Sequence, residues 1–314
     1  MAHLVQTMAY ANETPWHGLG NQLTQNQPLE VWLREAGMDW DIRSSPVHYL
    51  GQDNMRQFND AKVLYRSDTN DALSVVSNRY QVVQPREVLE FYRDLVDLGG
   101  FELETAGVLK GGRKLWALAR TGQETLLKGD DRVAAYLLLA TACDGTLATT
   151  AQFTSVRVVC NNTLAIATSD SQGAIKVPHS TKFDADKVKQ QLGLGVTSWQ
   201  RFIVDMRRLA DRPVHPFEAR SYLVELIGDP ELPFHSQPNS KALKRVFDLF
   251  AGAGKGSSLA SANDTAWGLV NAVTQYVDHE RRARCVDNRL DSAWFGAGAA
   301  IKQRALEQAL ALAG

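Results

Sequence analysis

The densest group of residues that could do chemistry is the run Asp278-His279-Glu280-Arg281-Arg282, near the end of a predicted helix. A histidine beside a carboxylate could act as a general base. Near the predicted C-terminus of this helix, Arg281, Arg282 and Arg284 suit the helix dipole, and they also suit contact with phosphate. Neighbouring residues on a helix do not face each other, which argues against direct orientation of His279 by Asp278. A solvated helix end, a phosphate contact and catalysis therefore stay open as interpretations.

A second polar group, Cys160-Asn161-Asn162, interrupts an apolar stretch. No neighbouring base is identifiable that would lower the pKa of the thiol, so Cys160 is interpreted as a small buried hydrophobe. The asparagines need polar partners, which indicates a packed interface or a ligand contact. We assign no catalytic residue and define a candidate polar site by these residues: Asn161, Asn162, Asp278, His279 and Arg282.

Basic residues occur near aromatic ones in several segments, as expected where phosphate contacts combine with base stacking. The candidates for binding nucleic acid are Arg79, Tyr80, Arg86, Lys110, Arg113, Lys114, Trp116, Lys244, Arg245 and Lys255. Tyr80 and Trp116 are the predicted stacking residues. The last three candidates lie in the window 235–260, where four basic residues and one acid give a local charge of +3. The alternative is surface charge scattered without function.

The segment Gly252-Ala253-Gly254-Lys255-Gly256-Ser257 looks superficially like a phosphate-binding loop. In such a loop a hydroxyl residue follows the lysine, whereas Gly256 follows Lys255 here, and the preceding segment is predicted to be helical rather than a strand. We therefore predict a flexible basic loop. The seven histidines and three cysteines show no metal-ligand spacing, so no metal and no cofactor are predicted.

Hydrophobic periodicity predicts an α+β fold: an antiparallel sheet of hairpins with an inserted helix, followed by a helical half. The predicted divisions are an N-terminal arm (1–27), a sheet-rich region (28–170) and a helical region (171–314), the last two able to pack as one domain. A helix starting at Pro85 and a glycine hairpin at Lys110-Gly111-Gly112 are predicted in the first half. Predicted helices include Ser155–Thr168, Pro216–Ile227, Asp264–Arg284 and Ser292–Leu312.

Composition limits the class of protein. The 314 residues carry a net charge of −1 and are 44% hydrophobic, which excludes disordered and collagen-like chains. No apolar run reaches the length of about 20 residues that spans a bilayer. The three cysteines give no disulfide framework. We therefore expect a soluble cytoplasmic protein without a signal peptide or membrane contact.

Several segments together resemble the phage- and plasmid-associated domain-of-unknown-function family 932. These segments are Thr14–Gly20 (TPWHGLG), Val75–Glu87 (VVSNRYQVVQPRE), Val156–Leu164 (VRVVCNNTL), Trp267–Arg281 (WGLVNAVTQYVDHER) and Ser292–Leu306 (SAWFGAGAAIKQRAL). The resemblance implies an origin in mobile elements and, by association, a role in DNA metabolism.

The predicted order of elements is also similar in outline to single-strand annealing recombinases of phages, of the RecT and Erf types. That similarity implies a homo-oligomer that holds single-stranded DNA and assists recombination or annealing. One alternative is a nucleotide- or nucleic-acid-modifying enzyme with a site near His279. Another is a non-enzymatic oligomeric protein of mobile elements, or one that counters the defence systems of the host. Whether any reaction is catalysed stays open at this point.

Overall fold

The structure is a computed structural model that describes residues 5–11, 20–166, 174–192 and 195–314. The strands are β1 (Val5–Ala11), β2 (Asn21–Leu23), β3 (Ile42–Leu50), β4 (Met55–Arg66), β5 (Ala72–Ser77), β6 (Glu102–Leu109), β7 (Lys114–Leu127), β8 (Asp131–Ala142), β9 (Thr149–Arg157), β10 (Asn162–Ala165) and β11 (Ala174–Val177). The helices are α1 (Leu29–Glu35), α2 (Pro85–Gly99), α3 (Ala185–Leu192), α4 (Gly195–Asp211), α5 (Pro216–Ile227), α6 (Ser240–Asp248), α7 (Ala266–Gln275), α8 (Val286–Phe295) and α9 (Ala297–Leu312).

The fold is α+β, as predicted, with mostly antiparallel sheet and one long helix in the first half and helices in the second. The chain forms two compact units that alternate along the sequence. Unit 1 comprises residues 1–122, 136–153 and 170–194, and unit 2 comprises residues 123–135, 154–169 and 195–314. The sequence predicts boundaries after residues 27 and 170, whereas each unit of the structure combines three separate segments of the chain.

Unit 1 is built around a hydrophobic core under an antiparallel sheet. Strand β6 pairs with both β1 and β7, and β11 pairs with the first half of β9. Helix α2 supplies Phe91 and Tyr92, which are buried in this core, and the Tyr92 hydroxyl donates to the carbonyls of Ala117 and Leu137 at 2.8 and 3.0 Å. These bonds satisfy the hydroxyl inside the apolar interior. Together the core and its buried hydroxyl fix α2 on the sheet.

Unit 1 also carries a separate three-stranded antiparallel sheet in the order β3-β4-β5. Its inner end is anchored, because Ile42, Leu64 and Leu73 are buried in the core of unit 1. Its outer end, residues 43–60, is a two-stranded hairpin of β3 and β4 that is almost wholly exposed on both faces.

Unit 2 is arranged around α7, all of whose residues are buried. Helix α7 packs against α4, α6, α9 and strand β10. The hydroxyl of Thr265 caps its first turn by accepting from the Gly268 amide at 3.1 Å. The far end of α7 continues into a π-helical turn, Tyr276–Glu280, and a second π-helical turn, Leu249–Ala253, follows α6. Such turns widen the backbone locally and recur at functional sites.

Several predicted elements are confirmed. Helix α2 begins at Pro85 and ends before Gly100, and α5 has the predicted bounds Pro216–Ile227. The glycine hairpin is present, with β6 and β7 joined through Lys110–Gly112. No described helix is long and apolar enough to cross a membrane.

The predicted helix Ser155–Thr168 is wrong. Strand β9 runs through Arg157, the chain turns at Val158–Asn161, and β10 pairs back antiparallel, with Asn162 opposite Arg157. The β-branched residues of this segment suit a strand, and Asn161 adopts the left-handed conformation (φ 54°) that asparagine tolerates in turns.

Other boundaries also differ from prediction. The helix predicted from Ser292 to Leu312 is interrupted at Gly296, so Ser292 lies inside α8 and α9 follows separately. The predicted N-terminal arm includes strand β1, which pairs with β6. Most of the motif at residues 14–20 lies outside the described residues, as does the predicted boundary at 169–173.

Candidate functional site

A fully buried carboxylate organises the interior of unit 2. Asp131 has no exposed surface, and one of its oxygens accepts from the Ser261 hydroxyl at 2.6 Å and from the Trp267 indole N–H at 3.0 Å. The Nε of Arg157 lies 2.7 and 3.0 Å from its two oxygens. A buried charge is tolerated when it is paired and hydrogen-bonded in this way. The cluster is therefore a structural ion pair.

The same arginine fixes the glycine-rich loop. Nη1 of Arg157 donates to the Lys255 carbonyl at 3.4 Å and Nη2 donates to the Gly256 carbonyl at 3.0 Å. The amides of Gly254, Lys255 and Ser257 donate within unit 2, to Leu249 O, Gln275 Oε1 and Gly254 O respectively. A phosphate cradle needs such amides to point at its ligand. This geometry agrees with the sequence argument against a nucleotide loop.

Asp278 and Lys302 form a second buried ion pair. Lys302 Nζ donates to Asp278 Oδ1 at 2.6 Å and to the Thr163 hydroxyl at 2.8 Å. The other oxygen of Asp278 accepts from the Thr163 amide at 2.8 Å and from its hydroxyl at 3.1 Å. These contacts tie strand β10 to α9 and to the π-helical turn after α7. The charges balance inside the cluster.

His279 and Asn162, both members of the predicted polar site, are in contact. His279 Nε2 lies 2.9 Å from the Cys160 carbonyl and 3.2 Å from Asn162 Oδ1. The amide of Asn162 donates to the Asn271 carbonyl at 3.1 Å, so Oδ1 faces His279 as an acceptor. Because both partners of Nε2 are acceptors, that nitrogen carries the proton. Burial lowers the pKa of His279, although the neighbouring Asp278 carboxylate acts in the opposite direction. The lowered pKa favours the neutral ring.

Cys160 lies beside this group without being activated. The thiol is buried, and burial raises its pKa to about 11, far from the range of a nucleophilic thiolate. Asn161 is half-buried and forms the turn between β9 and β10. Among the described residues no group of three or more acidic, histidine or cysteine side chains could hold a metal ion.

The remaining member of the predicted polar site, Arg282, belongs to a different feature: a cavity of about 330 Å³ in unit 2. Its lining residues are Val277, Arg281, Arg282, Ala283, Arg284, Asn288, Arg289 and Ser292. Four of the eight are arginines, and none of the eight carries a carboxylate. We call this feature the arginine cavity.

The local backbone explains how the arginines converge. The π-helical turn Tyr276–Glu280 ends at Arg281, whose amide donates to the Tyr276 carbonyl at 2.7 Å. The short segment that follows carries Arg282 and Arg284, and the chain re-enters helix at α8. Arg289, one turn into α8, donates to the carbonyls of Arg281 and His279 at 3.3 and 2.9 Å. The guanidinium of Arg289 thus cross-links the two ends of this segment.

Two arginines of the cavity differ from the others in their contacts. Arg281 donates to the Ser292 hydroxyl at 3.3 Å. Arg282 and Arg284 are exposed and make no hydrogen bond or ion pair within the part of the chain that the structure describes. Uncompensated guanidinium groups around a concave surface attract anions, above all phosphate oxygens. The arginine cavity is therefore the candidate anion site.

Seven of the predicted nucleic-acid residues belong to unit 1, and their exposure varies. Arg79 and Arg113 are exposed, Lys110 is half-buried, and Arg86 lies within 4 Å of both Glu30 and Glu90. Tyr80 is half-buried, with one face stacked on His179 at a centroid distance of 4.4 Å.

Lys114 and Trp116 do not fit the predicted contact role. Only 5% of Lys114 and 2% of Trp116 is exposed, because β7 lies inside the sheet of unit 1. A base cannot stack on an indole that is buried in the core. The hairpin that was expected to present these side chains instead buries them.

The other three predicted residues belong to unit 2. Lys244 and Lys255 are exposed, whereas Arg245 forms a bidentate ion pair with Glu280, with Nη2 2.9 Å from Oε1. Partial burial opposes ionisation of Glu280, but the hydrogen bond and charge of Arg245 outweigh it and lower the pKa of the carboxyl. Arg245 is therefore already engaged by a carboxylate.

Sequence reasoning singled out only part of these features. It considered Arg281, Arg282 and Arg284 as phosphate contacts but missed Arg289 and Asn288, which lie beyond the break in the helix. The signal was the density of arginines, four within the nine residues 281–289. It also missed Asp131 and Arg157, whose signal is weak: Asp131 stands beside Arg132 at the start of the apolar strand β8, and Arg157 is the one charged residue of β9.

One of three comparisons with known proteins gives a match. A family model described as "Domain of unknown function (DUF932)" matches residues 72–294. This range includes every residue that lines the arginine cavity and both buried ion-pair clusters except Lys302. No curated protein and no solved structure matches the chain.

Proposed function

The chain belongs to the DUF932 family, and from that premise we propose that its arginine cavity binds the phosphates of single-stranded DNA. The proposal includes a cytoplasmic role in the DNA metabolism of a phage or plasmid, in which the protein assists recombination or annealing. The observation that carries the proposal is the convergence of four arginines on one cavity, none of whose eight described lining residues carries a carboxylate.

The charge pattern favours a ligand with more than one phosphate. Arg282 and Arg284 make no hydrogen bond or ion pair with described residues, and Arg281 donates to the Ser292 hydroxyl. A single phosphate would leave part of this positive charge uncompensated. A nucleic-acid strand brings one phosphate per nucleotide, so it can satisfy several guanidinium groups together.

The buried ion-pair clusters of unit 2 are poor candidates for a ligand site, which supports the arginine cavity instead. Each oxygen of Asp278 and of Asp131 already accepts hydrogen bonds from side chains or backbone of the same unit. The alternative of an enzyme with a site near His279 would need these groups to turn toward a substrate. The exposed arginines can bind a ligand without breaking any described contact.

The test is fluorescence anisotropy of the full chain with labelled single-stranded and double-stranded DNA over a range of salt concentrations. The variant is Arg282→Ala/Arg284→Ala. We expect tight binding to the single strand that weakens with salt, and a fall of roughly a hundredfold in affinity for the variant, if each lost contact is worth about 1.4 kcal/mol. The slope of log affinity against log salt should become shallower by about 1.4, since each phosphate contact on a single strand contributes about 0.7.

A charge-matched control separates the cavity from general positive charge. Arg201→Ala/Arg207→Ala removes the same charge from exposed positions on α4 of the same unit. We expect its affinity to stay within about threefold of the wild type, because these two charges belong neither to the cavity lining nor to the basic window and are screened by salt. No binding of the wild type at low salt would overturn the proposal. Equal losses in the control and in Arg282→Ala/Arg284→Ala would move the binding site away from the cavity.

The exposed candidates Lys244 and Lys255 provide a second comparison within unit 2. Lys244→Ala/Lys255→Ala tests whether the basic window contributes phosphate contacts in addition to the cavity. If the strand extends from the cavity to that window, this variant also lowers the salt slope. An assay of annealing between complementary single strands, with the same set of variants, then tests the recombination role directly.

A further inference from the structure

The second inference concerns the exposed hairpin, residues 43–60, and it does not depend on DNA binding. Every residue of this hairpin is exposed except Val47 and Gly51, which are half-buried. Cross-strand pairs hold it in register, with Val47 opposite Phe58, Tyr49 opposite Arg56 and Leu50 opposite Met55. A two-stranded ribbon with neither face covered is at best marginally stable in water. We therefore expect another surface to cover the hairpin and stabilise it.

The side chains of the hairpin are apolar where a free ribbon would be polar. Opposed residues in an antiparallel pair point to the same face. One face therefore carries Val47, Tyr49 and Phe58, and the other carries Leu50 and Met55 beside the turn. Leu50 is 77% exposed and Met55 is 65% exposed, although neither residue type is common at such exposure. The tip of the hairpin is an apolar knob.

The charges of the hairpin indicate what kind of surface it contacts. Between residues 43 and 60 two arginines, Arg43 and Arg56, are balanced by two aspartates, Asp53 and Asp60. A ribbon that binds nucleic acid or an anionic membrane carries an excess of positive charge. A neutral ribbon with apolar side chains on both faces instead matches a protein surface with an apolar recess.

Unit 1 itself contains such a recess, a cavity of about 530 Å³ beside α1 and α2. Its apolar lining includes Leu29, Trp32, Leu89, Tyr92 and Val96. This volume lies within the usual range of binding cavities. None of the residues that line it belongs to the exposed hairpin. We call it the apolar socket.

The rim of the socket is complementary in charge to the hairpin. Glu30 and Glu102 line it together with Arg86 and Arg93. Arg86 and Glu30 already lie 3.8 Å apart, which leaves Glu102 and Arg93 as one rim charge of each sign. Arg56 lies next to the apolar pair at the hairpin tip, and Asp53 lies in the turn, so the tip offers a charge of opposite sign to each of these two residues. Complementary charges at the edge of an apolar contact set its orientation.

We propose that the exposed hairpin of one copy docks into the apolar socket of a second copy. The contact is heterologous, because different surfaces of the two copies meet. A row of copies joined in this way keeps one unoccupied hairpin and one unoccupied socket, so assembly continues to a closed ring or to an open filament. The partner is thus a second copy of this chain.

The test is the mass of the full chain in solution, by size-exclusion chromatography with light scattering over a range of micromolar concentrations. Leu50→Glu/Met55→Glu places charge on the hairpin tip, and Val96→Glu places charge in the socket. We expect the wild type to form oligomers and each variant to be monomeric. Phe217→Glu is the matched control, since Phe217 is an exposed apolar residue of unit 2, and it should leave the oligomers unchanged.

Mixing the two variants gives the decisive result. The hairpin variant keeps an intact socket, and the socket variant keeps an intact hairpin, so the mixture should contain a one-to-one dimer that cannot grow further. A monomeric wild type, or oligomers that persist in both variants, would overturn the proposal. So would a mixture of variants with wild-type circular dichroism that stays monomeric. If Leu50→Glu/Met55→Glu fails to fold, Tyr49→Ser/Phe58→Ser takes its place in the same experiment.

Discussion

A comparison of Arg157 with Arg282 and Arg284, all in unit 2, shows that the surroundings of an arginine decide whether it stabilises the fold or is available to a ligand. Arg157 is buried, bonded to Asp131 through Nε and to two loop carbonyls through its other nitrogens. Arg282 and Arg284 are exposed on a cavity whose described lining residues include no carboxylate. Arg157 donates to partners inside the protein through all three of its nitrogens, whereas Arg282 and Arg284 make no hydrogen bond with described residues. Substitution of Arg157 or its partner should therefore lower stability, and substitution of Arg282 and Arg284 should lower ligand affinity.

The largest expected effect is the loss of the buried charge at Asp131. Asp131→Asn keeps the shape but replaces one acceptor oxygen by a donor, which then faces Arg157, Ser261 or Trp267. We expect the free energy of unfolding to fall by about 3–5 kcal/mol, because one charge of a buried pair is left uncompensated. Urea unfolding of the variant and the wild type measures this loss.

A double variant shows whether pairing is the cause. Asp131→Leu/Arg157→Met removes both charges and should cost less than Asp131→Asn alone, since apolar groups of similar size can replace a buried pair. A loss of less than about 1 kcal/mol for Asp131→Asn would contradict the structural role of the pair.

The next effect concerns the loop that Arg157 holds. Gly256 has a φ of 67°, and a Cβ there would lie 2.7 Å from a methyl carbon of Val159 and 3.2 Å from Arg157 Nη2. We expect Gly256→Ala to cost about 2 kcal/mol through backbone strain and overlap. Gly145→Ala is the control, because Gly145 has a similar φ of 76° with open space around it, so only the strain remains. If Gly256→Ala and Gly145→Ala lose equal stability in thermal unfolding, the loop at Gly256 shifts enough to accommodate the added methyl group.

A smaller effect is expected in the pH dependence of stability. The pKa of His279 lies below 6.5 in the folded protein because the ring is buried, whereas in the unfolded chain it returns to about 6.5. As the pH falls below about 6.5 the unfolded chain gains a proton that the folded chain lacks, so this histidine lowers stability progressively on that side.

The variant His279→Gln isolates this contribution. Its amide can donate to the Cys160 carbonyl, as Nε2 of the ring does, and it does not titrate. Thermal unfolding of both proteins between pH 7.5 and 5 should therefore show the wild type losing stability faster than the variant. Curves that stay parallel over this range would show that His279 titrates equally in both states.

The smallest expected change in stability is that of the two exposed arginines, and it tests directly whether they have a structural role. Arg282→Ala/Arg284→Ala should change the free energy of unfolding by no more than about 0.5 kcal/mol, because the two side chains are exposed and make no hydrogen bond or ion pair with described residues. The urea midpoint is the measurement, on the same protein that is used for DNA binding. A loss of stability similar to that of Asp131→Asn would assign these arginines to the structure rather than to a ligand.

Local signals were sufficient for some elements and misleading for others. Proline at the first position and glycine after the last predicted α2 correctly, and a glycine turn predicted the β6–β7 hairpin. The pattern after Ser155 predicts a helix, but this segment forms the end of β9 and the strand β10, which pair with each other. A short β-branched run does not distinguish the two states, so the pairing partner decides.

The candidate sites show the same limit. A dense run of arginines is visible in the sequence, and three of the four that line the arginine cavity were considered as phosphate contacts. Trp116 and Lys114 were read as surface residues of a basic hairpin, but the position of β7 within the sheet buries them. A basic residue next to an aromatic one does not by itself reveal which face of a strand is covered.

The α+β order of elements, the ends of helices such as α2 and α5, and the concentration of arginines at 281–289 can all be read from the sequence. These follow from short-range chemistry, because periodicity, caps and turn residues act within a few positions along the chain. The pairing of Arg157 with Asp131, 26 positions away, and the exposure of Arg282 and Arg284 depend instead on how the chain folds. Burial and charge pairing depend on which distant segments meet, and this separates an arginine that stabilises the fold from one that is available to a ligand.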